Sequence, residues 1–283
     1  MLSFPVPFLF IGGFIVAKRY TREDIIDRLW KQVDKGKAIL MFGAGSGLTA
    51  KCADIGGADL IAVYSTAKYR MMGLPTLLAW MPYSNADEHV VQMAKEILPV
   101  VKEAPCIAGI GAHDPAVNIP AIIDHFVDIG FSGVTNEPFA GLYGPEFAQQ
   151  LEAAGIGFAR EVRLIEEAHR KNIFTVAWAF NPAEAEIMAK AGADVVGAIV
   201  GVTTGGLTGA KESLALQAAT KQVEGVCKAV YSINPDIFVL THGGPIKDVS
   251  SADYSIRNSS AKGYASGSSG ERVPTEEAGI TIT

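Results

Sequence analysis

Cysteine is scarce in this chain, with three in 283 residues. Cys52, Cys106 and Cys227 lie far apart in apolar or helical surroundings and form no CxxC pair. That spacing excludes a disulfide framework and a thiolate metal site, and reads as the reduced thiols of a cytoplasmic protein. An excess of basic residues is also missing: 24 Lys and Arg stand against 30 Asp and Glu, a formal net charge of -6. Nucleic acids and anionic membranes both need a basic face, so neither is the expected partner. No apolar run is long enough to cross a bilayer comfortably. Phe4 to Ala17 comes nearest, but it contains Pro5, Pro7 and a Gly12-Gly13 pair and has no basic residue before it. It is expected to pack beneath the domain or against a neighbouring subunit, with a targeting role as the alternative. A GxGxxG loop is absent too. Gly43-Ala44-Gly45-Ser46-Gly47 brings its third glycine too early, which argues against a nicotinamide or flavin site.

What is present is enough apolar material for one large core, 49% of the residues, arranged as a repeat. Residues 1–20 read as an extension and residues 21–283 as one domain. Thr21, with Asp24 three positions on, caps a leading helix whose apolar face is Ile25, Ile26, Leu29, Trp30 and Val33. Short, continuously apolar segments follow at Ala38 to Phe42, Leu60 to Tyr64, Cys106 to Ile110, Gly133 to Asn136, Ile173 to Trp178, Val195 to Val200, Ile237 to Leu240 and Gly263 to Ala265. Continuous apolarity marks strands buried on both faces, as parallel strands are. Amphipathic helices are expected between them at 87–98, 120–129, 159–171, 183–191 and 211–231. Eight alternating units predict a closed (β/α)8 TIM barrel, with an open doubly wound sheet as the alternative. Two places depart from the repeat: a long connection from Ser65 to Asp87, expected to be a lid, and a final helix expected to be cut short at Thr283.

Chemistry in such a barrel sits at the C-terminal ends of the strands. Gly243 and Gly244, after the seventh strand, and Gly267, Ser268 and Ser269, after the eighth, are expected to form a phosphate cup of backbone N–H groups and hydroxyls at a helix N-terminus. Gly45, Ser46, Tyr64 and Thr204 lie at other strand ends and join the candidate binding set. Lys68 and Arg70 join it only if a lid carries them inward. The candidate catalytic groups are Glu137, before Pro138; His242, before the Gly-Gly turn; and Asp114, before Pro115. Asp-Pro is also a plain turn opener, and a His or a Glu there can be structural. No lysine falls within the eight strands, which argues against a Schiff-base aldolase.

Together, the segments Gly43-Ala-Gly-Ser-Gly-Leu-Thr-Ala-Lys-Cys52, Gly56-Gly-Ala-Asp-Leu-Ile61 with Tyr64 and Lys68-Tyr-Arg70, Gly201-Val-Thr-Thr-Gly-Gly206 and Thr241-His-Gly-Gly-Pro-Ile246 resemble the TIM-barrel family labelled phosphoenolpyruvate hydrolase-like, or TIM-barrel signal transduction. The resemblance runs from about Tyr20 to Glu277. The family also supplies the C-terminal half of certain two-domain plant and fungal proteins, one of them tied to virus resistance. Its label implies enzymes for phosphonopyruvate and phosphoenolpyruvate, which hold Mg²⁺ through several carboxylates and close a Lys-, Cys- and Gly-rich loop. This sequence has neither the acidic cluster nor the loop, its strand-end acids being Asp114 and Glu137, so catalytic roles do not carry over from those enzymes.

Two functions compete. One is hydrolysis or lyase cleavage of a small phosphorylated or phosphonylated keto acid, with Glu137 or His242 as general base and Asp114 helping to hold Mg²⁺ if a metal takes part. The other is a barrel that binds a small anionic metabolite without turnover, in signalling. The apolar N-terminus and the short final helix further predict a homo-oligomer.

Overall fold

The computed structural model describes residues 17–283, and the segment Phe4 to Ala17, expected to pack beneath the domain, lies outside the described residues except for Ala17, which is buried. Eight parallel strands close into a barrel in chain order: β1 (Ile39–Gly43), β2 (Leu60–Val63), β3 (Cys106–Gly109), β4 (Gly133–Thr135), β5 (Phe174–Ala179), β6 (Val195–Ile199), β7 (Phe238–His242) and β8 (Gly263–Ser266). Closure is made by β8 on β1, in register from Ile39 opposite Gly263 to Phe42 opposite Ser266.

Strand side chains alternate between the barrel interior and the helical shell, as the two-residue period requires. Leu60 and Ala62, Val176 and Trp178, Phe238 and Leu240 fill the interior. Ile61 and Val63, Ala177 and Ala179, Val239 pack outward against helices. The same alternation, carried to the last residue of β7 and past the ends of β2, β4 and β8, turns His242, Tyr64, Glu137 and Gly267 inward, so the pleat selects the residues that meet at the mouth.

Helix α1 (Arg22–Asp34) starts with the expected capping box, Thr21 and Asp24 bonding each other's backbone N–H. Its Ile25 and Leu29 are fully buried with the interior cluster, so it plugs the end opposite the mouth. The shell continues with α2 (Gly47–Gly56), α3 (Ser65–Met71), α4 (Ala86–Ile97), α5 (Ile119–Asp128), α6 (Pro145–Ala153), α7 (Phe158–Arg170), α8 (Pro182–Lys190), α9 (Leu216–Ile233), α10 (Val249–Arg257) and α11 (Arg272–Ile282). Asn118 and Asn181 cap α5 and α8, each with proline in the first turn, where its missing N–H costs nothing.

Three expectations need correction. The Ser65–Asp87 connection is not a loose lid: it carries α3, whose Ser65, Thr66, Ala67, Tyr69 and Arg70 are buried, and a 3-10 turn at Thr76–Trp80. Helix α6 lies outside the expected helices at 87–98, 120–129, 159–171, 183–191 and 211–231, with Pro145 as its first residue. The last helix is 11 residues long, with Arg272 its one buried residue, and Pro274 stands at its third position. No helix among the described residues is long and apolar enough to cross a membrane.

Candidate active site

Arg70 is the charge around which the mouth is built. Thr66 and Arg70 are one turn apart on α3, so both point to the same side, toward the barrel axis. Arg70 is 5% exposed. Its Nη2 donates to Tyr64 Oη at 3.3 Å and its Nε to Glu271 Oε2 at 3.3 Å. Glu271 Oε1 in turn accepts from Gly45 N–H at 2.5 Å and from the Thr49 hydroxyl at 2.9 Å. Tyr64 can lie flat against β1 because position 43 is glycine: a Cβ there would collide with the tyrosine hydroxyl.

Opposite this cation stands Glu137, 4% exposed, whose Oε1 accepts from Thr66 Oγ1 at 2.5 Å. Burial pushes its carboxyl up to about 7, opposed by the Thr66 hydrogen bond and the Arg70 charge. His242 Nδ1 lies 2.7 Å from the Ala265 carbonyl. A carbonyl only accepts, so Nδ1 carries the proton and Nε2 keeps its lone pair. Burial lowers this imidazole to about 4 against the opposing Ala265 hydrogen bond, with Arg70's charge adding to the effect; the ring is neutral at pH 7. The Trp178 ring lies 5.0 Å from it. Tyr64, Thr66, Arg70, Glu137, Trp178, His242 and Ser268 line one pocket together with Trp80, Phe139, Leu142 and Ile199.

The turn after β8 completes it. Gly270 and Glu271 N–H both return to the Gly267 carbonyl, and Val273 N–H to Ser268. The N–H groups of Gly267, Ser268 and Ser269 have no backbone acceptor among the described residues. A Cβ at Gly267 would sit 3.4 Å from His242 Cε1, 3.5 Å from Tyr64 Oη and 3.8 Å from Arg70 Nη2. A small anion on this turn therefore meets Arg70 as well.

The structure thus brings together Tyr64, Arg70, Glu137, His242, Gly267 and Ser268, and Arg70 is in place without any lid. It holds the other sequence candidates elsewhere. Asp114 is a plain turn opener: Oδ1 accepts from Ala116 N–H at 2.8 Å and Oδ2 from Asn85 at 3.3 Å, in a separate groove with Asp87 and His113. Lys68 pairs with Glu96 at 3.2 Å. The Gly45 N–H is taken by Glu271, and Ser46 caps α2 by accepting from Thr49 N–H at 3.3 Å. Gly243 and Gly244 form a left-handed turn, Gly244 donating to Gly201 and accepting from Thr204 N–H, both at 3.0 Å. These glycines and Thr204 clamp the loop after β6 instead of facing an anion. Ser269 is bonded to Tyr264 and to Ser266.

Sequence reasoning passed over Thr66, Glu271 and Glu161 as site residues, and reached Trp178 only as the end of the fifth strand. Glu161, on α7, is 1% exposed and accepts from Asn136 Nδ2 at 2.5 Å and Ala140 N–H at 2.6 Å, while Asn136 Oδ1 accepts from Trp178 N–H at 2.8 Å. It holds Asn136, which ties the segment after β4, where Glu137 lies, to β5, which carries Trp178. Burial pushes its carboxyl up to about 8 against those hydrogen bonds.

The donor set does not fit Mg²⁺. Among the described residues no three His, Cys, Asp or Glu side chains converge. The one carboxylate lining the pocket is Glu137, whose Oε1 accepts from Thr66; Glu271, behind Arg70, already accepts from Gly45, Thr49 and Arg70, and the buried guanidinium repels a second cation.

The model of the family described as phosphoenolpyruvate hydrolase-like matches residues 24–283. The ToMV susceptible protein tm-1(GCR26) of Solanum lycopersicum is 42% identical over 260 residues, 92% of this chain and 34% of that protein. The chain thus spans about a third of that relative's length. A solved phosphonopyruvate hydrolase complexed with oxalate and Mg²⁺ superposes with a TM-score of 0.58 at 16% identity, over 91% of this chain and 83% of that one. A phosphoenolpyruvate phosphomutase from Streptomyces platensis subsp. rosaceus gives 0.55 at 17% identity, over 91% and 85%. At these identities the likeness to the two structures is one of fold.

Proposed function

The chain belongs to the phosphoenolpyruvate hydrolase-like family, and from that premise we propose that its barrel is a hydrolase- or lyase-type enzyme for a small oxo acid, with Glu137 moving the proton. The observation that supports this most is a carboxyl raised to about 7 sharing one pocket with a buried arginine. A general base works best when its pKa lies near the working pH, and perturbed groups of this kind gather at working sites.

In this reading the substrate carboxylate lies on Arg70 Nη2, the Tyr64 hydroxyl and the free N–H groups after β8. Arg70 donates to the Tyr64 oxygen, so the phenolic proton remains available to the ligand. Thr66 occupies Glu137 Oε1, which leaves Oε2 to act. Glu137 takes the proton of a hydroxyl on the carbon two away from the oxo carbon as the bond between that carbon and the one beside the oxo group breaks: the hydroxyl-bearing carbon leaves as a carbonyl, and the bonding pair stays on the other as the enolate. As the carboxylic acid it returns that proton to the enolate carbon left behind. Neutral His242 accepts a hydrogen bond through Nε2 and orients the hydroxyl. No step runs through a metal ion, because the donors here do not suit one.

Phosphoenolpyruvate and phosphonopyruvate are the finer candidates suggested by the family description. Incubating the purified chain with both, and with unphosphorylated oxo acids, while following the mixture by proton and phosphorus NMR tests the reading. One acid should be consumed by the parent and spared by Glu137→Gln. If no acid is consumed although one binds, the barrel is a binding module. If Glu137→Gln is as active as the parent, the role given to Glu137 is wrong.

A further inference from the structure

The pocket's polar groups are uneven in a way that narrows its ligand. Arg70 is its one cationic lining residue, and it already faces Glu271 at 3.3 Å. Much of the remaining wall is apolar: Trp80, Phe139, Leu142 and Ile199. One donor in that wall has no acceptor. Trp178 is 3% exposed, and its Nε1 has no hydrogen-bond partner among the described residues. The benzo edge of the indole covers Gly197, where a Cβ would collide with Cε3 and Cζ3. The Nε1 edge is therefore the one turned away from β6. A buried N–H left unpaired is costly, and native sites that keep one generally satisfy it with a ligand or a water.

We propose that the ligand is an unphosphorylated monocarboxylic acid whose uncharged oxo oxygen accepts from Trp178 Nε1–H and whose short apolar body lies against the aromatic wall. This rests on reading the pocket as the working site. One carboxylate matches one arginine, whereas a multiply charged phosphate ester would surrender its hydration to a cation that Glu271 already half-neutralises. The free N–H groups of Gly267, Ser268 and Ser269 suit two carboxylate oxygens as well as a phosphate.

The test is calorimetric titration of the full chain, in EDTA, with 2-oxoisovalerate, isovalerate and phosphoenolpyruvate. The oxo acid should bind about tenfold tighter than either of the others, the loss expected for one buried hydrogen bond. In Trp178→Phe, which keeps the ring but not the N–H, the oxo acid should fall to the affinity of isovalerate, and isovalerate itself should not change. Phosphoenolpyruvate binding tightest to the parent chain overturns the proposal, and that comparison stands even if the variant does not fold. Equal weakening of both aliphatic acids in Trp178→Phe also overturns it, since the ring and not its N–H would then matter. Binding of 2-oxoisovalerate with the expected preference, while no oxo acid in the turnover assay is consumed, leaves this inference standing and removes the catalytic reading.

Discussion

Thr66 and Arg70, one turn apart on α3, serve the two opposed charges of the mouth: the threonine hydroxyl lies 2.5 Å from Glu137 Oε1, and the arginine lies 3.3 Å from Glu271. Helix α3 thereby sets both the proton affinity of the base and the position of the cation. Thr66→Val keeps the shape and removes the hydrogen bond that favours ionised Glu137. Without it the carboxyl should rise further above about 7, by about one unit for a lost hydrogen bond to a charged group. Because the base works only when ionised, turnover in the parent should climb through about pH 7 and level off above it. In Thr66→Val that rise should move to higher pH with the plateau little changed. His242, already neutral from about 4 upward, adds no limb between pH 5 and 8. A pH profile of kcat/KM that is the same for both proteins refutes the assignment.

The Arg70–Glu271 pair is buried on both sides, with side-chain exposures of 3% and 0%. Arg70→Met should leave Glu271 charged and uncompensated, costing about 3–5 kcal/mol of stability. Adding Glu271→Gln should recover much of that loss, since the charge left behind is gone. Binding of a carboxylate should not return with it. Urea denaturation and calorimetry on the single and double variants read the two effects separately, and restored binding in the double variant would mean that Arg70 is structural.

Much of the fold was legible because parallel strands buried on both faces have few sequence alternatives. Cys106–Gly109 and Phe174–Ala179 lie within a residue or two of their expected limits. Glu137, His242 and Gly267 were reachable by the same logic, as residues that continue the strand alternation at the mouth. Arg70 was placed on a loop because α3 begins without a side-chain cap, Tyr64 offering no hydrogen bond there. Glu271 was invisible for another reason: its partner Gly45 is 226 positions away, and no local pattern reports such a contact. Asp114 was the converse error, a strand-end acid consumed by its own turn.

Glu161 offers a stability test independent of any substrate. Its folded-state value of about 8 lies above the ordinary 4.5, so the fold favours the protonated acid. Its contribution is therefore fully present below about 4.5 and shrinks as pH rises toward 8. The stability difference between the parent and Glu161→Gln should accordingly narrow from pH 5 to pH 8. Glu161→Ala should cost about 2–3 kcal/mol at pH 5, because the Asn136 and Ala140 donors lose their acceptor inside the shell, and that cost should shrink toward pH 8 in step with the Glu161→Gln difference. Chemical denaturation at both pH values decides it, and a gap that widens with pH would show that the carboxylate form is the native one.

Gly267 separates folding from binding more cleanly than any other position in the mouth. Its φ is not in the left-handed region, and an added Cβ would meet His242, Tyr64 and Arg70 at 3.4–3.8 Å, ordinary contact distances. Gly267→Ala should therefore fold with a change of less than about 1 kcal/mol. Yet the methyl would stand among the three side chains that converge on the anion, next to the free N–H groups of the turn. Carboxylate binding should fall by about tenfold or more. Ser268→Ala, which removes at most one hydroxyl donor from the pocket, should weaken it by about 1 kcal/mol. Ser269→Ala breaks bonds to Tyr264 and Ser266 and should lower stability with little effect on binding. If Gly267→Ala binds as the parent does while Ser269→Ala does not, the anion lies on the outer side of the turn, and the convergence of Arg70, Tyr64 and His242 serves packing instead.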